Sequence, residues 1–206
     1  MTHPTDQSRP KRIVVGISGA SGARYSTRLL ELLLQSHIEV HLVVTDFGKR
    51  LLSDELGITG LSLDTLCPSL AGNQSIRNQL LVHPHKDVGA VIASGSFLHD
   101  GMVVIPCSST SLGKIATGSG ENLLTRAAAV TLKERRPLII VHRESPLSLI
   151  DIENMRTLTL AGATIAPANP GLYLKPTTID EIIDFTVGKV LDLLKIEHDL
   201  KTRWQR

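Results

Sequence analysis

Aromatic side chains are nearly missing: the 206 residues hold three Phe, two Tyr and one Trp. A core so poor in rings must rest on Leu, Ile, Val and Ala, so an aromatic placed in a Gly/Pro loop becomes a candidate ligand contact. Cysteine is scarce as well. Cys67 and Cys107 make neither a metal-ligand spacing nor a disulfide framework, which fits a reducing cytosol and leads us to expect a cytoplasmic protein with no metal site. The charge has no dominant sign. A net charge of +2, dispersed along the chain, gives no footprint for nucleic acid or an anionic membrane. No apolar run is long enough to span a bilayer. Residues 1–11 are polar, contain Pro4 and Pro10, and lack the apolar stretch of a signal peptide. They are expected to form a flexible tail ahead of a single domain over residues 12–206.

What is present alternates between short apolar runs and amphipathic stretches, the pattern of an α/β fold with a parallel sheet. Strands are expected over residues 12–18, 40–44, 101–107, 138–141 and 164–167. Helices are expected over residues 23–35, 46–56, 112–116, 122–135, 149–161 and from residue 178 to about 195. Residues 57–89 are Leu/Ser/Gly-rich, read as irregular connections, and allow one short strand at residues 80–83. His83 and His85 flank Pro84 with no further ligand nearby, so they are not read as a metal site.

Several junctions carry chemistry. The first strand enters Gly19-Ala-Ser-Gly22 and a helix follows, a unit that aims backbone N–H groups at an anion. Gly16, Gly19 and Gly22 match neither the dinucleotide fingerprint nor a P-loop, so a monophosphate cofactor such as FMN fits better than NAD. A plain tight turn reads equally well. Thr45, ending the second strand, suits a flavin's hydroxyls, while the following Asp46 keeps NAD open. Glu55 reads from spacing alone as a solvated helix carboxylate. Ser94-Gly95-Ser96 is a small-residue corner where backbone can approach a ligand. Ser108, Ser109, Thr110 and Ser111 are more hydroxyls than a helix cap needs, and the surplus suits a polar cofactor edge.

Charge is densest around the fifth strand. Arg126 and Lys133 lie two turns apart on one helix face. Beyond residues 138–141 come Arg143 and Glu144, an anion clamp beside a proton carrier at the carboxyl end of a buried strand. A solvated helix end followed by a surface turn accounts for the same charges. Tyr173 sits in a loop stiffened by Pro170 and Pro176. Trp204, flanked by arginines, should dock on its own subunit or on a neighbour.

Six motifs stand in order along the chain: Gly16-Ile-Ser-Gly-Ala-Ser-Gly22, Ala93-Ser-Gly-Ser96, Pro106-Cys-Ser108, Leu132-Lys-Glu-Arg-Arg-Pro137, Arg143-Glu-Ser-Pro146 and Arg203-Trp204. With them the sequence resembles the UbiX-type flavin prenyltransferases over residues 11–204. The resemblance implies a Rossmann-like flavoprotein fold, with a central, mostly parallel sheet flanked by helices, and a homododecamer with active sites where subunits meet. It implies transfer of a dimethylallyl group from dimethylallyl monophosphate to N5 and C6 of reduced FMN. The product, prenylated FMN, then serves a UbiD-type decarboxylase. Gly19, Ala20, Ser21, Thr45, Ser108, Ser109, Thr110, Ser111 and Arg143 match flavin contacts. Ser94, Arg126, Lys133, Glu144, Tyr173, Lys189 and Trp204 match the surroundings of the prenyl phosphate. Glu144, Ser21, Glu55 and Lys133 are the implied catalytic set. Lys189 stands where the family typically has arginine, keeping the charge without the planar fork. Ala129 replaces a common aspartate.

The chemistry agrees with the charges. Breaking an allylic C–O bond requires stabilisation of a departing phosphate, and the chain has no aspartate-rich motif for magnesium. Arg126, Lys133, Arg143 and Lys189 supply positive charge directly. Two rival readings stand beside this one. A flavin-dependent cysteine decarboxylase of the phosphopantothenoylcysteine type would carry Pro-Ala-x-Ala-Asn-Thr where this chain has Pro106-Cys-Ser-Ser-Thr-Ser111. A non-catalytic FMN carrier would have no use for Arg126, Lys133, Glu144 and Tyr173.

Overall fold

Short runs of Val, Ile and Leu that are apolar on both sides of the backbone can only be strands covered on two faces. In a computed structural model, which describes residues 9–202, six strands form one sheet: β1 (Arg12–Ile17), β2 (Glu39–Val44), β3 (Leu80–His83), β4 (Gly101–Cys107), β5 (Leu138–His142) and β6 (Thr164–Ile165), the inner ones covered in this way and the edge strands β3 and β6 partly exposed. Their order is β3-β2-β1-β4-β5-β6, and every pairing is parallel. The Rossmann-like α/β fold is therefore observed. Chain direction across the sheet reverses between β1 and β4, and such a switch point opens a crevice at the carboxyl ends of the strands.

Eight α-helices flank the sheet among the described residues, the last of them following β6: α1 (Ala23–Gln35), α2 (Asp46–Leu56), α3 (Leu63–Leu66), α4 (Gln74–Arg77), α5 (Ser109–Ala116), α6 (Leu123–Lys133), α7 (Leu149–Leu160) and α8 (Ile179–Leu193). Strand alternation sends Ile13, Val15, Val103, Ile105 and Val141 to one face, where Leu29, Leu30 and Leu33 of α1 and Ile183, Val187 and Val190 of α8 cover them. Val14, Met102, Val104 and Ile140 point to the other face, beneath Leu112 of α5, Leu124 and Ala127 of α6 and Leu158 of α7. Each fully buried Leu, Ile or Val contributes about 1.5–3 kcal/mol of burial free energy, so both faces are firmly covered. Helices α1 and α8 thus lie on the opposite side of the sheet from α5, α6 and α7, and this division decides what one protomer can bring together.

Differences from the sequence reading are local. Residues 57–89 hold two one-turn helices, α3 and α4, started by the caps Ser62 and Asn73; four residues are too few to show a period of 3.6. Helix α5 begins at Ser109 rather than Leu112, because Ser108 is its cap and accepts from the Ser111 N–H. The last helix ends at Leu193. No helix of the described residues is long and apolar enough to cross a membrane.

Candidate active site at the carboxyl edge of the sheet

Three loops meet at the switch point. Ser18, buried at the end of β1, donates through its hydroxyl to the Pro106 carbonyl (3.0 Å) and accepts from the Ser108 N–H (2.8 Å), tying the first loop to the β4 loop. Gly19 is required by crowding: a Cβ there would lie 2.5 Å from Cβ of Phe47, at the start of α2. Phe47 itself is 73% exposed at this edge. Thr45 caps α2 by accepting from the Gly48 N–H (3.0 Å), which leaves its own hydroxyl proton to donate.

The start of α1 does hold an anion, and the anion is the protein's own. The Glu55 carboxylate, from the last turn of α2, accepts from the Gly22 N–H (3.0 and 3.1 Å) and the Ala23 N–H (2.8 Å). Gly22 makes this possible, since its φ of 125° is strained for any residue with a side chain. Burial pushes the Glu55 carboxyl up, but the Ser21 hydroxyl, the Ala23 and Gly22 N–H groups and nearby Arg143 together hold it below its ordinary value. The spacing of Glu55 suggested a solvated carboxylate; the structure instead joins it to Ser21 and Arg143. Nothing local foretells this, because the contact depends on how α2 packs against the β1 loop. The phosphate that the glycine spacing suggested for this N-terminus would compete with Glu55 for the same donors.

The β4 loop uses its hydroxyls more internally than the sequence suggested. Ser108 caps α5, the buried Ser111 receives the Ser108 hydroxyl (3.2 Å), and Ser109 meets Nε2 of His142 (3.1 Å). Thr110 alone is exposed. Backbone N–H groups of the first turn of α5 still face the edge without intrahelical partners.

Beyond β5, the Arg143 N–H donates to the Cys107 carbonyl (3.2 Å), which sets the Arg143 and Glu144 side chains at the sheet edge. The Arg143 stem passes by Gly22, whose added Cβ would lie 3.8 Å from Cδ. Glu144 is exposed and accepts from the N–H of Ser145 (3.0 Å). Ser21, Glu55, Arg143 and Glu144 therefore share one edge with Gly19, Ala20, Thr45 and the Ser108–Ser111 turn.

The remaining candidates lie elsewhere. Arg126 projects from α6 and makes no salt bridge among the described residues. Lys133 ends the same helix, roughly 10 Å further along its axis, and reaches only Glu134, at 3.7 Å. The Ser94 corner is fastened beneath α6 by Arg136, which donates to the carbonyls of Gly95 and Phe97 (2.7 Å each). Tyr173 and Lys189 belong to the other half of the molecule. Tyr173 is 48% exposed and packs edge-on against Phe185 of α8, with ring centroids 5.8 Å apart. Lys189 and Phe185 line a cleft of about 450 Å³ beside β6. So the sheet stands between Lys189 and the Arg126/Lys133 helix. Trp204 lies outside the described residues.

Among the described residues no group of three or more His, Cys, Asp or Glu side chains could hold a metal ion. His83 pairs with His41 (2.9 Å) and His85 with Asp46 (3.2 Å).

The model of the Flavoprotein family matches residues 1–192. A flavin prenyltransferase UbiX from Alkalihalophilus pseudofirmus is 46% identical over 194 residues, spanning 94% of this chain and 96% of that one. The chain belongs to the flavin prenyltransferase family. Two solved members of similar fold extend the comparison. The crystal structure of AnUbiX (PadA1) in complex with FMN and dimethylallyl pyrophosphate has a TM-score of 0.84 and 38% identity, covering 96% of this chain and 99% of that one. A dodecameric FMN-dependent UbiX-like decarboxylase from Escherichia coli O157:H7 has a TM-score of 0.83 and 36% identity, covering 95% and 100%.

Proposed function

We propose that this protein joins the dimethylallyl group of dimethylallyl monophosphate to N5 and C6 of reduced FMN, and that several copies of the chain combine to build each active site. The flavin supplies the nucleophilic ring atoms. The residues at the sheet edge fit it: Gly19 keeps the first loop thin, Thr45 offers a hydroxyl proton, the α5 N-terminus presents N–H groups, and Arg143 lies beside them. FMN is favoured over FAD because the loop lacks the dinucleotide spacing.

The observation that carries the reading is the placement of the cations. Arg126, Arg143 and Lys189 are exposed and make no salt bridge among the described residues, although the chain carries 20 acidic residues against 22 basic ones. Exposed cations outside any salt bridge suit an anionic ligand, and together they stabilise a phosphate that departs with the electron pair of the allylic C–O bond. Arg126 and Lys189 project from opposite sides of one sheet, so no single protomer gathers them around one phosphate. A closed assembly of identical chains does, with Lys189 and Tyr173 of one copy facing Arg126 and Lys133 of another. A homododecamer is our reading of that assembly, and the E. coli protein's dodecamer supports it.

In this arrangement Glu144 moves the protons, giving one to the leaving phosphate oxygen or accepting one from the alkylated ring carbon. Ser21, held by Glu55, presents its hydroxyl to the flavin edge. The product passes to a UbiD-type decarboxylase, with cytoplasm as the compartment.

The test is anaerobic incubation with reduced FMN and dimethylallyl monophosphate, followed by mass spectrometry of the flavin. Flavin heavier by one isoprene unit is expected; unchanged flavin overturns the proposal. Parallel incubation with dimethylallyl pyrophosphate, the ligand present with AnUbiX, establishes which phosphate is used. Retention of FAD in strong preference to FMN also contradicts the reading.

A further inference from the structure

Two buried polar groups that no part of the mechanism above employs, His142 and Asp151, lie directly behind the flavin edge. His142 is the last residue of β5 and is 2% exposed. Its Nε2 lies 3.1 Å from the Ser109 hydroxyl, in the first turn of α5. Asp151, a buried residue in the first turn of α7, lies close by, and the Ser109 hydroxyl helps to hold its carboxyl below the ordinary value. Asp151 is anchored in turn by Ser148, through the N–H (3.0 Å) and the hydroxyl (2.6 Å).

The Ser148 hydroxyl, then the Ser109 hydroxyl and the Ser148 N–H, bring the Asp151 carboxyl down to about 2, so beside this pair α7 carries an ionised acceptor. The imidazole and the Ser109 hydroxyl share one hydrogen bond, and the imidazole tautomer sets which of them donates. That bond ties the end of β5 to the first turn of α5. The backbone continues from His142 straight into Arg143 and Glu144, and from Ser109 along the N-terminus of α5.

We infer that His142 is a positioning residue: through Ser109 it holds the Arg143–Glu144 segment in register with the α5 turn that faces the flavin. This rests on the proposed reaction. A bond that spans two loops fixes the distance between them, and misplacing a reacting group by about 1 Å can cost on the order of a hundredfold in rate. Loss of the bond should therefore appear in turnover rather than in flavin affinity, because the first loop and Thr45 still hold FMN.

The experiment compares His142→Gln, whose amide reaches the position of Nε2, with His142→Leu, which fills the space without a polar atom. His142→Leu is expected to lose about tenfold or more in kcat, with the KM for FMN changed by less than about threefold. His142→Gln is expected within about threefold of the unmodified protein. Ser109→Ala breaks the same bond from the other side and serves where His142→Leu fails to fold. Its kcat loss should match, and where both fold, the double variant should be no worse than the poorer single one. Unimpaired His142→Leu or Ser109→Ala, equal damage from Gln and Leu, or losses that multiply would each overturn the inference. Without any prenylation by the unmodified protein the proposed reaction falls, yet the visible spectrum of bound oxidised FMN still decides the positioning role. A shifted spectrum in the Leu or Ala variant with a normal one in Gln supports it; identical spectra in all of them refute it.

Discussion

The proposed flavin edge and the residues proposed to bind phosphate are built in opposite ways. At the edge, the ends of four strands, β1, β2, β4 and β5, deliver Ser21, Thr45, the Ser108–Ser111 turn and Arg143 to one crevice, and Ser18 and Glu55 stitch the loops together inside one chain. The cations for the phosphate are spread over both faces of the sheet, with no internal network joining them. The first region is set by topology, since strand ends in a parallel sheet converge wherever the order reverses. In the proposed reading the second works only when copies of the chain meet, so one protomer carries the cofactor cradle and only part of the substrate site.

The largest expected effect falls on Glu144, where the two regions join. Glu144→Gln should retain FMN and dimethylallyl monophosphate but lose on the order of a hundredfold or more in prenyl-FMN formation, the usual worth of one general acid–base group. Isothermal titration and a rate assay separate the two quantities, and turnover at the unmodified rate would falsify the proton-transfer role. Gly19→Ala attacks the cradle alone. Its Cβ would lie 2.5 Å from that of Phe47, an atom too close to the backbone to swing away. A loss of about 1–3 kcal/mol in chemical denaturation and weaker flavin binding are expected; unchanged stability would mean that α2 shifts freely.

The smallest effect belongs to Glu55. Removing its charge with Glu55→Gln should cost about 1 kcal/mol, the scale of a helix cap, moderated by solvent at this exposed site. Because its folded-state pKa is depressed, the contribution is present at neutral pH, begins to fade near the ordinary value of 4.5 and is lost as pH falls further, through the folded-state value. The difference in stability between Glu55→Gln and the unmodified protein should therefore shrink on acidification. A difference that stays constant from neutral to acidic pH would remove the charge from the explanation.

How much of this was legible depended on how far apart the partners lie in sequence. Strands β1, β4 and β5 announce themselves because they are buried on both faces and read as unbroken Val/Ile runs. Arg143 and Glu144 were placed correctly at the carboxyl edge for the same reason. Glu55 was not, since its donors Gly22 and Ala23 lie more than thirty residues away and only the packing of α2 joins them. The serine run was read as surplus hydroxyl, whereas His142 already uses Ser109. A histidine ending a buried strand between Val141 and Arg143 was the one available signal. The motifs gave the family, but residues on opposite faces cannot be recognised from spacing as members of one site.

Subunit mixing tests the central claim most directly. Lys133→Ala and Lys189→Ala each remove one phosphate-facing cation from opposite faces of the sheet, and each alone should cost about tenfold or more in rate. Co-expressed and purified together, the two variants form assemblies in which some sites combine an intact Lys133 from one copy with an intact Lys189 from another. Activity well above that of either variant alone is the predicted result. A mixture no more active than its components would mean that each protomer closes its own site, and would contradict the account.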